Sequence, residues 1–128
     1  YAGLRYMPFF ERVSGDSMCP TIHNGDRVIT NLVLLPPARV GLDDIVVMEV
    51  YEKNRRYIKR VVAVEGMVVP LHSGAPYCLR KGEYWLEGDN KCISYDSRDF
   101  GPVPGERIIE KVIKILCAHD KQEFPQEF

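Results

Sequence analysis

Asp44-Ile45-Val46-Val47-Met48-Glu49-Val50-Tyr51 and, beyond the turn-like Glu52-Lys53-Asn54, Arg55-Arg56-Tyr57-Ile58-Lys59-Arg60-Val61-Val62-Ala63-Val64 are the stretch that decides the fold. Both runs are rich in β-branched residues and bounded by turn formers, so they read as strands, and the short break between them suggests a hairpin. Upstream, Arg27 to Leu35 is a similar run that ends at Pro36-Pro37. Downstream, short segments at Val68–Leu71, Tyr77–Arg80 and Tyr84–Glu87 are separated by Gly74, Pro76 and Gly82. Arg107 to Cys117 closes the domain. Strict alternation would place Ile109, Lys111, Ile113 and Ile115 on one mainly apolar face of a half-buried strand. No window of about 11 residues shows a helical apolar stripe, and Leu4–Glu11 is too short to assign. Short strands with Gly/Pro punctuation predict an all-β sandwich or partly closed barrel.

A chain of 128 residues supports one core, so residues 1–128 are read as a single domain, with 1–12 as a lead-in and 120–128 as an exposed tail. The net charge of −1 gives no electrostatic reason to expect a nucleic-acid partner. His23, His72 and His119 share no ligand spacing, and Cys19, Cys78, Cys92 and Cys117 contain no Cys-x-x-Cys pair, so neither a metal site nor a cofactor is expected. The cysteines read as free, half-buried thiols. No run reaches the ~18 apolar residues of a membrane span.

Gly15-Asp16-Ser17-Met18-Cys19-Pro20-Thr21 is the first stretch that carries chemistry. A serine after Gly-Asp is ordinarily a turn or cap residue. Here Gly15 lets the backbone approach closely, with amide N–H groups near Ser17 left for a developing oxyanion. The base would be Lys59, whose neighbours Ile58, Val61 and Val62 are apolar while Arg60 points to the opposite face. An inward lysine must find a partner or lose its proton. Lowering its pKa from ~10.4 toward ~8 costs roughly 3 kcal/mol, unusual for a structural residue and useful in a general base. The polar segment from Gly88 to Val103 is the third piece. In it Ser94 is expected to orient the Lys59 amine, Asp96 and Arg98 to pair with each other, and Asp89 and Asn90 to cap a turn.

These three boxes resemble the type I signal peptidase family, whose members carry Ser-Met-x-Pro, a Lys-Arg before an apolar strand, and Gly-Asp-Asn followed by Ser-x-Asp-Ser-Arg. The likeness is strongest to its mitochondrial branch, the inner membrane peptidase, of the subunit 2 type. It rests on Lys59–Gly66, Gly82–Asp89, Ser94–Ser97 and Asp99–Val103, and covers about residues 13 to 116. The resemblance implies Ser17 as nucleophile, Lys59 as general base, Ser94 as the residue positioning the lysine and Asp96–Arg98 as a structural pair. It also implies a backbone oxyanion hole at Ser17 and a substrate groove lined by Met18 and Ile22. Two positions depart from the family pattern. Gly66-Met67 replaces a Gly-Asp after the lysine strand, and Asp43 stands where a turn glycine precedes Asp44-Ile45-Val46.

The implied activity is serine endopeptidase removal of targeting or signal peptides from membrane-associated precursors, by a Ser/Lys dyad and an acyl-enzyme. The implied partners are a precursor polypeptide, a membrane reached through a segment upstream of Tyr1, and a companion peptidase subunit. The implied location is the mitochondrial inner membrane with the domain facing the intermembrane space, or else the outer face of a bacterial plasma membrane. Two other readings are a self-cleaving repressor-type domain and a non-catalytic structural subunit of the same fold. The first would need a DNA-binding module and a cleavable linker upstream, and neither is visible in the leading residues. Intact Ser17, Lys59 and Ser94 argue against the second.

Overall fold

The structure, a computed structural model, describes residues 9–33, 40–50 and 55–116. Among the described residues nine strands fall in chain order: β1 (Phe9–Arg12), β2 (Arg27–Leu32), β3 (Ile45–Val50), β4 (Arg55–Ala63), β5 (Val68–Pro70), β6 (Pro76–Cys78), β7 (Glu83–Glu87), β8 (Val103–Pro104) and β9 (Ile108–Leu116). The one α-helix among the described residues is the single turn α1 (Ser97–Phe100). The all-β expectation holds. Seven strands form one antiparallel sheet in the order β1-β2-β9-β3-β4-β7-β8, and β5 and β6 form a separate ribbon. That order leaves β1 and β8 as the edges, so the sheet is not a closed barrel among the described residues. Leu34, Leu35, Tyr51, the turn expected at Glu52-Lys53-Asn54 and Cys117 lie outside the described residues, as do 1–8 and the tail.

The β3–β4 hairpin is the centre of the molecule, in register from Ile45↔Arg60 to Val50↔Arg55. Ile45, Val46, Val47 and Met48 are all buried, the continuous apolar run expected of a strand covered on both faces. Period-two alternation then sends Val46 and Met48 to one core, with Val61, Tyr84, Leu86, Val103 and Ile108. Ile45 goes to the other, with Val13, Met18, Ile22 and Val28. A third cluster of Ala63, Val69, Leu79 and Trp85 anchors the β5–β6 ribbon.

β9 departs from the strict alternation predicted for it. Ile29 faces Lys114 while Thr30 faces Val112, which leaves Ile113 as an extra residue opposite β2. Val47 faces Glu110 while Met48 faces Ile108, so Ile109 is extra opposite β3. Each bulge re-aims the side chains beyond it. Ile113 is consequently 52% exposed, and the buried positions are Ile108 and Glu110. The Gly66-Met67 turn closes without its acidic residue, through a hydrogen bond from the Met67 N–H to the Val64 carbonyl. Asp43 sits at φ 70°, in the left-handed region that favours glycine.

Leu86 is fully buried on β7 between Val61 and the first core. Leu86→Ala is expected to cost about 2–5 kcal/mol, the usual range for a core truncation, read as a lower denaturant midpoint at unchanged m-value.

Candidate active site

The serine loop is tied off at its neck, where Val13 N–H donates to Asp26 O and Gly25 N–H donates to Val13 O, both at 2.8 Å. Gly15 sits at φ 91° with open space where a side chain would go, so the turn needs its backbone freedom rather than close approach. From Asp16 the chain winds tightly, with Cys19 N–H donating to Asp16 O at 3.1 Å and Ile22 N–H to Met18 O at 3.0 Å. This winding turns Met18 and Ile22 inward, at 1% and 0% exposure, into the core of Val13, Val28 and Ile45. They do not line a groove, and the sequence expectation is corrected on that point. The groove of about 190 Å³ at Ser17 is lined instead by Val13, Val28, Val47, Tyr57, Ile58 and Lys59, with Glu11 and Arg56 further along.

Lys59 reaches Ser17 across this groove, its Nζ donating to Ser17 Oγ at 3.3 Å. The residue is 3% exposed, and the ring of Tyr57 lies 5.6 Å from the amine. Burial pushes the lysine pKa below its ordinary 10.5; the Asp96 carboxylate opposes this, and the Arg98 guanidinium adds to it. The N–H groups of Ser17 and Met18 make no hydrogen bond within the described residues, so they are available to a ligand oxygen.

A second layer fixes the serine loop. Ser17 O accepts from Asn90 N–H at 2.8 Å, and Asp16 O accepts from Asn90 Nδ2 at 3.1 Å. Asp89 does not cap its own turn. It takes both Arg60 Nε at 2.9 Å and Arg60 Nη2 at 2.8 Å, and accepts the Thr21 hydroxyl at 2.6 Å. The Arg60 hydrogen bond, with that from Thr21, holds the Asp89 carboxyl below the usual carboxylate range despite its burial. Arg60 and Lys59, adjacent on β4, thus grip the serine loop from two sides. Thr21 as a member of this clamp was missed from sequence because its partner lies 68 residues away.

Ser94 makes no hydrogen bond to Lys59 among the described residues. Its hydroxyl donates to Asp96 Oδ2 at 2.6 Å and accepts from Gly88 N–H at 3.1 Å. Asp96, fully buried, caps α1 and takes Arg98 Nε at 3.0 Å and Nη2 at 3.1 Å. Burial pushes this carboxyl up, but bonds from Arg98, Ser94 and the Gly88 amide outweigh it and leave the pKa lowered. Gly88 is the close-approach glycine of the site. A Cβ there would lie 2.2 Å from Ser94 Oγ and 2.7 Å from Ser17 O.

One further feature lay outside the sequence reading. The Thr30 hydroxyl donates to Glu110 Oε1 at 2.8 Å with Glu11 Oε2 3.1 Å from the same oxygen, and Arg56 bridges both carboxylates. Burial and the neighbouring Glu11 raise the Glu110 pKa. Cys19, Cys78 and Cys92 are free thiols as expected, but only Cys19 is half-buried; Cys78 and Cys92 are exposed, which corrects the burial expected for them.

An all-β domain that sets a serine loop against a buried lysine is built as a serine peptidase is. The model of the signal peptidase family, peptidase S26, matches residues 4–77 and 71–117, and the chain belongs to that family. It is similar to mitochondrial inner membrane protease subunit 2 of Mus musculus, 36% identical over 100 residues that make up 72% of this chain and 57% of the relative. To subunit 1 of Schizosaccharomyces pombe it is 32% identical over 120 residues, 89% of this chain and 76% of the relative. To the mitochondrial ATP-independent inner membrane protease subunit 1a of Arabidopsis thaliana it is 33% identical over 118 residues, 85% and 70% of the respective chains.

Gly88→Ala is expected to destabilise by about 1–3 kcal/mol, because the new methyl must displace Ser94 or the Ser17 backbone. Thermal unfolding checks this. Asp96→Ala leaves Arg98, the Ser94 hydroxyl and the Gly88 amide without their acceptor, at a cost of about 2 kcal/mol or more. Because the Asp96 pKa is lowered in the fold, its contribution is present above the unfolded carboxylate pKa and is lost as pH falls through the folded value. Denaturant midpoints of wild type and Asp96→Ala should therefore converge in acid and separate toward neutrality.

Proposed function

We propose that residues 1–128 are one peptidase domain of a serine endopeptidase that removes targeting or signal peptides from membrane-associated precursors. Ser17 is the nucleophile and Lys59 the general base. The observation that carries this reading is the 3.3 Å approach of the Lys59 amine to Ser17 Oγ at a residue 3% exposed, with its pKa lowered by burial. Desolvation makes the lysine give up its proton more readily, and in its neutral form it can take the serine proton.

The segment preceding the cut lies extended along β4, bound by main-chain hydrogen bonds, with small side chains entering the groove of Ile58 and Val47. Support comes from the edge itself: among the described residues Arg55–Lys59 pair with β3 alone, while β7 covers β4 only from Arg60. Neutral Lys59 accepts the Ser17 proton as Oγ attacks the carbonyl carbon, and the Ser17 N–H receives the developing oxyanion. Protonated Lys59 then delivers that proton to the leaving amine. In the second half Lys59 activates water, which releases the acyl group from Ser17. Asp96 and Ser94 act as positioning residues through Gly88. These steps use side chains and backbone alone.

These three relatives carry the words mitochondrial and inner membrane in their names, and all three are named as numbered protease subunits, which supports an inner-membrane location and a companion subunit. The domain would face the intermembrane space, tethered through a segment upstream of Tyr1.

Cleavage of a membrane-tethered precursor with small residues before the cut tests the reading, assayed in detergent or membrane with the companion subunit supplied. Ser17→Ala is expected to lower kcat by about a thousandfold or more while the unfolding curve stays unchanged. Lys59→Arg should be equally inactive, because a guanidinium stays charged and cannot accept the proton. Wild-type activity should rise about tenfold per pH unit and level off below pH 10.5, since only the neutral amine is a base. Full activity of Lys59→Arg would remove the lysine from the chemistry, and an inactive wild type would leave the structural-subunit reading.

A further inference from the structure

The geometry points to a second side-chain groove, on the opposite face of β4 from Ile58, that takes an aromatic or large apolar residue at the second position before the cut. The inference rests on the proposed lie of the substrate along β4. A strand added at Arg55–Lys59 has side chains that alternate between the two faces of the sheet. If the residue at the cut and the one two before it enter the groove of Ile58, the residue between them must emerge on the face of Tyr57. That face is not bare. Tyr57 there lines a groove of about 250 Å³ with Met48, Val50, Tyr95, Phe100 and Val103. Tyr57 lines the groove at Ser17 as well, so the two are contiguous across β4.

The walls define what fits. Tyr95 packs edge-on against Tyr57 with ring centroids 6.4 Å apart, and against Phe100 at 5.2 Å. Met48 and Val103 form an apolar floor, buried at 1% exposure each. An incoming ring can join this set in the same edge-to-face manner, which small or charged side chains cannot. Tyr95 is 49% exposed, yet it stands between Ser94 and Asp96, whose side chains are locked to each other at 2.6 Å. An exposed aromatic on a fixed backbone loses little freedom on binding.

The test is a set of precursor peptides that differ only at the second position before the cut, carrying Phe, Leu, Gly or Asp, with a small residue at the cut. Their kcat/KM is measured on wild type, Tyr95→Ala and Tyr95→Phe, and their binding on Ser17→Ala. Phe over Gly should give about tenfold or more in kcat/KM, as a filled apolar pocket does, and a matching ratio in binding. Tyr95→Ala should bring the ratio toward one, and Tyr95→Phe should retain it. Cleavage that ignores this position, or a preference that survives Tyr95→Ala, overturns the groove and leaves the dyad standing. Selective binding with no cleavage by wild type supports the groove and removes the dyad. Failure of all four peptides to bind overturns the groove as well.

Discussion

Everything in this fold turns on keeping one amine dry. Lys59 can sit at 3% exposure beside a serine hydroxyl only if its strand is immobile and its neighbours exclude water. The strand is held by six residue pairs to β3, which is itself buried on both faces. The serine loop is clamped independently by Arg60, Asp89 and Thr21. A lysine pays a desolvation penalty wherever it is buried; here the surrounding sheet is stiff enough to sustain it. Asp96 limits that penalty through its charge without touching the amine, and Arg98 keeps Asp96 ionised.

The same logic explains why the Gly88–Arg98 segment is so densely bonded. Ser94, Asp96, Arg98 and the Gly88 amide satisfy one another, so a buried carboxylate is held with no unmet acceptor demand. Glycine at 88 is required because Ser94 and the Ser17 carbonyl occupy the space that a Cβ would need. The scaffold thus passes position from one serine to the other through contact rather than through a direct hydrogen bond to the lysine.

The strands were legible in the sequence because β-branched runs and Gly/Pro breaks are local signals, and β3, β4 and β7 fall where those signals put them. The serine box and the lysine strand were legible for the same reason. What failed depended on direction or distance. Met18 and Ile22 were read as groove residues because their inward aim is set by the winding of 16–22, which composition does not encode. The apolar face of β9 was misread because two bulges break its period. Asp89 was read as a turn cap because its partner Arg60 lies 29 residues back, and Ser94 was read as touching the lysine when its hydroxyl is committed to Asp96.

The half-covered β4 has a consequence for how the molecule behaves in a crowd. An uncovered strand edge is a template for any extended chain, including another copy of itself. Helices or loops that would shield it would also close it to other chains. Arg55 and Arg56 stand on this stretch, and Lys59 points inward from it. Two such edges docked together would bring the exposed Arg55 and Arg56 of one copy close to those of the other. The exposed arginines of the edge thus oppose its pairing with its own kind, while the lysine beside Ser17 stays buried behind them.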